Sequence, residues 1–144
     1  MSIMETAKNI IENAIRKSSN PYIYAGHGCT LHREKFATFI DKLQIPVMLS
    51  WRAIDLLSDD NPLNAGRPGL IAQPEANKRI QQADLVIVMG ARVEDTLTAF
   101  KIDQFAPLAV KIAVDVDQAE LDRLPAEYYR INMDCEKFMD EVMA

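Results

Sequence analysis

The run Leu85-Val86-Ile87-Val88-Met89-Gly90 is apolar for five residues and then stops on a glycine. It is the most strand-like segment of the chain, and it predicts a buried strand feeding a turn. Upstream, Pro74 suits a first helical turn, where no N–H is needed, and residues 74–83 have helical composition. Downstream, an irregular stretch passes through Arg92, Glu94, Asp95 and Thr96. The next apolar run, 109–114, ends at Asp115, and Asp117 with Glu120 has capping-box spacing for a short helix. Residues 129–132 read as a further strand, and Asp134 as the cap of a closing helix through Phe138 and Val142.

The N-terminal half repeats this alternation. Ser2 and Glu5 have capping-box spacing, and Ala7, Ile10, Ile11, Ala14 and Ile15 lay an apolar stripe along the helix they open. Residues 22–25 read as a buried strand, and Gly26-His27-Gly28-Cys29-Thr30 as the turn after it. Phe36, Phe39, Ile40 and Leu43 then take helical spacing, and 46–50 is strand-like again. Residues 51–73, with Asp59-Asp60-Asn61-Pro62 and Gly66-Arg67-Pro68-Gly69, carry turn chemistry and read as a long loop. Strands alternating with helices predict an α/β fold, a Rossmann-like three-layer domain with a mainly parallel sheet of five or six strands.

A chain of 144 residues has room for one domain, and 49% hydrophobic content fills its core. The formal charge of −5 repels phosphate backbones and anionic lipid, which argues against nucleic acid and membrane partners. Two cysteines, Cys29 and Cys135, permit one bridge at most, and no apolar run reaches the roughly 18 residues of a membrane span. These features predict a reduced, cytoplasmic protein.

In open parallel sheets, ligands bind outside the carboxyl ends of the strands. Gly26, His27 and Gly28 follow the first strand, Gly90 and Arg92 the third, Asp115 and Asp117 the fourth, and Asp134 the fifth. Glycines admit a diphosphate to the backbone, arginine offers a charged fork, and carboxylates accept from ribose hydroxyls. The dinucleotide fingerprint itself is broken. Gly26-His27-Gly28-Cys29-Thr30-Leu31 lacks the third glycine, and Leu49-Ser50-Trp51 lacks the expected acid, so an NAD dehydrogenase is disfavoured. Each residue also has a plainer reading. Asp117 and Asp134 serve equally as helix caps, and Arg92 as a surface ion-pair partner of Glu94 or Asp95. Trp51 reads as loop packing and Asp59-Asp60 as a solvated turn. His27, Cys29, His32 and Cys135 lack the second paired spacing of a zinc site, and no metal is expected.

Taken in order, these motifs resemble the central domain of thiamine-diphosphate enzymes of the acetolactate synthase type. The resemblance rests on Pro21-Tyr22-Ile23-Tyr24-Ala25-Gly26-His27-Gly28, Ile45-Pro46-Val47 and Gly66-Arg67-Pro68-Gly69. It rests above all on Ala83-Asp84-Leu85 through Gly90-Ala91-Arg92-Val93-Glu94-Asp95, with Phe105-Ala106-Pro107 and Val114-Asp115-Val116-Asp117. It implies a parent enzyme, a homo-oligomer acting on 2-oxo acids, in which pyrimidine- and diphosphate-binding domains flank this one and hold thiamine diphosphate and magnesium. The family's catalytic glutamate context and its G-D-G motif belong to those flanking domains and do not occur here. The fragment alone is therefore expected to be inactive, an excised middle domain or a split-gene product. The resemblance further implies FAD or ADP in this domain, at Gly26, His27, Gly28, Gly66, Gly69, Gly90, Arg92, Asp115 and Asp134. Two departures stand out: Glu94-Asp95-Thr96 replaces the usual Asp-Asp-Arg, and Met133 stands where a glycine commonly precedes the aspartate. The alternative is a scaffold or ADP-sensing module that binds no flavin.

Overall fold

The computed structural model describes residues 6–68, 74–92 and 105–144. Its centre is a six-stranded sheet of β1 (Pro21–Ala25), β2 (Val47–Leu49), β3 (Asn64–Gly66), β4 (Leu85–Met89), β5 (Val110–Asp115) and β6 (Tyr129–Asn132), ordered β3-β2-β1-β4-β5-β6. Every neighbouring pair is parallel. All carboxyl ends therefore lie on one edge, and the strand order reverses between β1 and β4, where such folds place their crevice.

Side-chain alternation sorts the strands into two apolar layers. Ile23, Ile87 and Ile112 stand opposite one another in register and face the larger layer. That layer is covered by helices α1 (Ala7–Lys17), α3 (Arg33–Leu43) and α6 (Cys135–Met143), through Ile11, Phe36, Phe39 and Phe138. The rings of Phe39 and Phe138 meet tilted at 6.1 Å, an arrangement worth about 0.5–1.5 kcal/mol beyond the area it buries. Tyr24, Val88 and Ala113 face the other way, onto α4 (Pro74–Gln81) and α5 (Gln118–Asp122). The result is the predicted three-layer α/β domain architecture, with the sheet wholly parallel.

Helix starts differ in detail from the sequence reading. α1 begins after Thr6, whose hydroxyl accepts from Asn9 N–H at 3.2 Å, and the Ser2–Glu5 pair lies outside the described residues. Asp117 caps α5 by accepting from Ala119 N–H at 3.0 Å, but Glu120 does not complete the box. Glu120 is buried and pairs with Arg123, while the Asp117 N–H donates to Asp115 Oδ1 at 2.8 Å. The turn after β1 contains one turn of helix, α2 (His27–Thr30). The supposed loop 51–73 supplies the edge strand β3, held by Val47 N–H donating to Leu63 O at 2.7 Å, so short that its turn-like composition concealed it. Trp51 packs at the surface of that segment, against its own Arg67. It opens a 3-10 turn (Trp51–Ala53), is 52% exposed, and carries the Arg67 guanidinium 5.1 Å over its ring.

Opposite the carboxyl edge, Asp84 ties the α1–β1 connection to the start of β4. Its carboxylate accepts from Ser19 N–H at 2.8 Å, Ser19 Oγ at 3.0 Å, Asn20 N–H at 3.1 Å and the Ser18 hydroxyl. These donors, the Ser18 hydroxyl first, lower the Asp84 pKa to about 2. A carboxylate whose folded pKa is depressed stabilises above its unfolded pKa and loses that contribution as pH falls through the folded value. Stability is expected to drop between about pH 4 and pH 2, by about 1 kcal/mol after allowance for solvent screening. Asp84→Ala should cost about 1–2 kcal/mol at pH 7 and flatten this acid limb, measured by urea titrations across pH.

Candidate functional site

Each expected site residue that is described sits on the carboxyl edge. Gly26, His27 and Gly28 cross the end of β1, with Gly90 and Arg92 beside them at the end of β4. Asp115 ends β5, and Asp134 follows β6. These seven span four adjacent strands, β1-β4-β5-β6, that run outward from the β1/β4 reversal. Gly66, at φ 99°, ends β3 on the same edge but beyond β2, two strands from β1. Gly69, Glu94, Asp95 and Thr96 lie outside the described residues.

The glycines have an internal reason to be there. A β-carbon on Gly26 would stand 2.4 Å from Ala91 Cβ and 2.5 Å from Gly90 O. On Gly90, whose φ is +59°, it would stand 2.8 Å from Cys135 Sγ and 2.9 Å from Gly28 Cα. The two turns thus touch backbone to backbone, and Gly28 N–H donates to Gly90 O at 3.0 Å. Gly26 N–H goes to Met89 O at 3.0 Å and Gly90 N–H to Val114 O at 3.1 Å. All three amide donors are spent within the protein, so these glycines form the floor of the crevice rather than an anion cradle.

The charged residues divide in the same way. The Asp134 carboxylate accepts from Lys137 N–H at 2.8 Å and caps α6. Asp115 Oδ1 receives the Asp117 N–H. Burial raises the Asp115 pKa, against the opposing effects of that hydrogen bond and of the Arg92 charge. Arg92 and His27 are exposed, and Arg92 lies close enough to Asp115 to act on it electrostatically. The Thr30 hydroxyl donates back to His27 O at 2.6 Å, closing the α2 turn. A cation, an imidazole and a half-buried carboxylate therefore stand above a glycine floor, an arrangement suited to a nucleotide's diphosphate and its polar sugar.

Two features of this edge escaped the sequence reading. Cys29 and Cys135 are free thiols whose sulfurs lie 3.9 Å apart beneath the glycine turns. A groove of about 640 Å³ runs outside them, from Thr30 and Arg33 past Glu136 to Met143. Its basic residues are already paired: Lys35 with Asp140 and Glu136, His32 with Glu136, and Arg33 with Asp55.

Comparison with known proteins identifies the architecture. The family model described as the thiamine pyrophosphate enzyme central domain matches residues 9–142. The chain belongs to this central-domain family. The acetolactate synthase isozyme 1 large subunit of Escherichia coli is 32% identical over 130 residues, covering 90% of this chain and 22% of that protein. Acetolactate synthase 1, chloroplastic, of Zea mays is 31% identical over 81% of this chain and 19% of its own length. The large subunit of Cyanidium caldarium is 35% identical over 76% of this chain. The chain spans about a fifth of the length of these relatives. Among the described residues, no helix is long and apolar enough to cross a membrane.

The backbone contact at the crevice floor should be intolerant of even one added carbon. Gly90→Ala combines a left-handed φ with contacts under 3 Å, and is expected to cost about 2–4 kcal/mol, read as a lowered urea midpoint.

Proposed function

We propose that residues 1–144 form one domain, the nucleotide-holding middle domain of an acetolactate synthase-like enzyme. The parent decarboxylates a pyruvate-type 2-oxo acid and joins the product to a second carbonyl compound. Thiamine diphosphate with magnesium supplies the carbanion chemistry from the flanking pyrimidine- and diphosphate-binding domains. The parent is a cytoplasmic homo-oligomer. What carries the reading is the family match across residues 9–142. The position of Arg92 after β4, at the strand-order reversal, with Asp115 at the end of the neighbouring β5, supports it.

Within this domain FAD or ADP is the proposed ligand. Arg92 meets the diphosphate, Asp115 accepts from the sugar, and His27 borders the same turn. Gly26, Gly28 and Gly90 act by shape, keeping the crevice floor low. Gly66 belongs to the far side of the same edge, Gly69 is proposed beside it from the family resemblance alone, and Asp134 acts by holding the start of α6. A spacer that binds no nucleotide is the competing reading, and titration separates the two.

A charge-assisted contact contributes about 1.5–3 kcal/mol, so Arg92→Ala should weaken FAD or ADP binding roughly ten- to a hundredfold with unchanged melting temperature. Fluorescence titration and thermal melts check this. Equal affinity with a lower melting temperature would make Arg92 a structural ion-pair residue, and no binding of either nucleotide by the wild type would favour the spacer. Calorimetry of this chain with thiamine diphosphate and magnesium should show no binding, and micromolar affinity would overturn the domain assignment.

A further inference from the structure

Two buried thiols meet beneath the crevice floor, and the proposed nucleotide site uses neither. Cys29 lies in α2 and is 0% exposed, while Cys135 opens α6 and is 5% exposed. They are 106 positions apart in sequence, yet their sulfurs stand 3.9 Å from one another. A disulfide needs about 2.05 Å, so closure requires less than about 2 Å of movement. We propose that Cys29 and Cys135 are a reversible dithiol–disulfide couple that staples the β1–α2 turn to the first turn of α6.

The two sulfurs are not equivalent. Cys135 occupies the first helical position after the Asp134 cap, where peptide dipoles favour a thiolate. Cys29 donates toward Cys135 Sγ, and also lies 3.4 Å from Met89 O. That hydrogen bond lowers the Cys135 pKa, and the Cys29 thiol is raised by its contact with Cys135 and by burial. Cys135 is therefore the attacking sulfur and Cys29 the resolving one.

The oxidant is hydrogen peroxide, small enough to reach a nearly enclosed thiol. The Cys135 thiolate attacks one peroxide oxygen, the O–O bond breaks, and hydroxide leaves a sulfenic acid behind. The Cys29 sulfur then attacks that sulfenic sulfur, the S–O bond breaks, and water departs with the Cys29 proton. In sum, two thiols give two electrons and two protons to one peroxide, yielding a disulfide and two waters. A dithiol reductant reverses it. In a reducing compartment such a bond is transient, as expected of a sensor rather than a permanent brace.

The location gives the bond a consequence. Cys135 Sγ is the atom that a β-carbon on Gly90 would meet at 2.8 Å, and one on Gly28 at 3.5 Å. Drawing it toward Cys29 alters the packing under both turns.

The test treats the native 144-residue chain with a few equivalents of hydrogen peroxide, then alkylates it in denaturant. A loss of about 2 Da, no alkylated cysteine, and a crosslinked Cys29–Cys135 peptide that dithiothreitol releases are expected. Amide resonances of Gly28 and Gly90 should shift between the two forms. Cys29→Ser should instead leave Cys135 as a sulfenic or sulfinic acid, while Cys135→Ser should leave Cys29 unreacted. Two alkylatable thiols after treatment of the wild type, oxygen adducts on Cys135, or an intermolecular dimer would overturn the proposal. The wild-type mapping decides even if a serine variant fails to fold, and no arm depends on nucleotide binding.

Discussion

The contact between the turns after β1 and β4 is the constraint on which the rest of the carboxyl edge depends. A parallel sheet brings these ends side by side at the reversal in strand order, and the two turns must then cross without colliding. Any side chain on Gly26 or Gly90 would occupy space held by the opposite turn. Backbone approach in turn permits the Gly28 N–H to Gly90 O bond, which locks the turns together. Helix α6 closes the arrangement from one side, its first residue packed against Gly90.

This changes what the glycines mean. Read in sequence, Gly26, Gly28 and Gly90 resemble residues that admit a diphosphate to bare backbone. In the fold their amides already have partners in the chain, and the exposed polar groups around the rim are side chains. Arg92, His27 and Asp115 differ in character: the first two are exposed, while Asp115 is half-buried and has a raised pKa. The glycine pattern of this chain thus follows from packing between its own turns.

The opposite edge shows the same division of labour. Asp84 was legible only as part of the Ala83-Asp84-Leu85 motif, yet it gathers donors from Ser18, Ser19 and Asn20, more than sixty positions away. Lys111 sits in an apolar run and is buried, its ammonium 5.6 Å over the Tyr128 ring and 4.0 Å from Glu127. Burial lowers its pKa, and no local pattern announces such a lysine.

Much of the fold was legible because it rests on local periodicity. The apolar runs at 22–25, 85–89 and 109–114 and the helical stripes through Ile11, Phe36 and Phe138 each report their own element, and alternation of the two types implies a parallel sheet. The caps Asp117 and Asp134 were equally open to inspection, since a cap bonds within three residues of itself. The edge strand β3 was not, because three residues of turn composition become a strand only when β2 offers a ladder to pair with. Nor could sequence show which glycines face a partner turn, that Arg67 covers Trp51, or that Cys29 and Cys135 are neighbours. By itself the sequence determined the elements, their class and the edge where polar residues collect, since these follow from spacing along one segment. Only the tertiary structure decided which polar groups were already satisfied, because that depends on contacts between segments that the chain order leaves far apart.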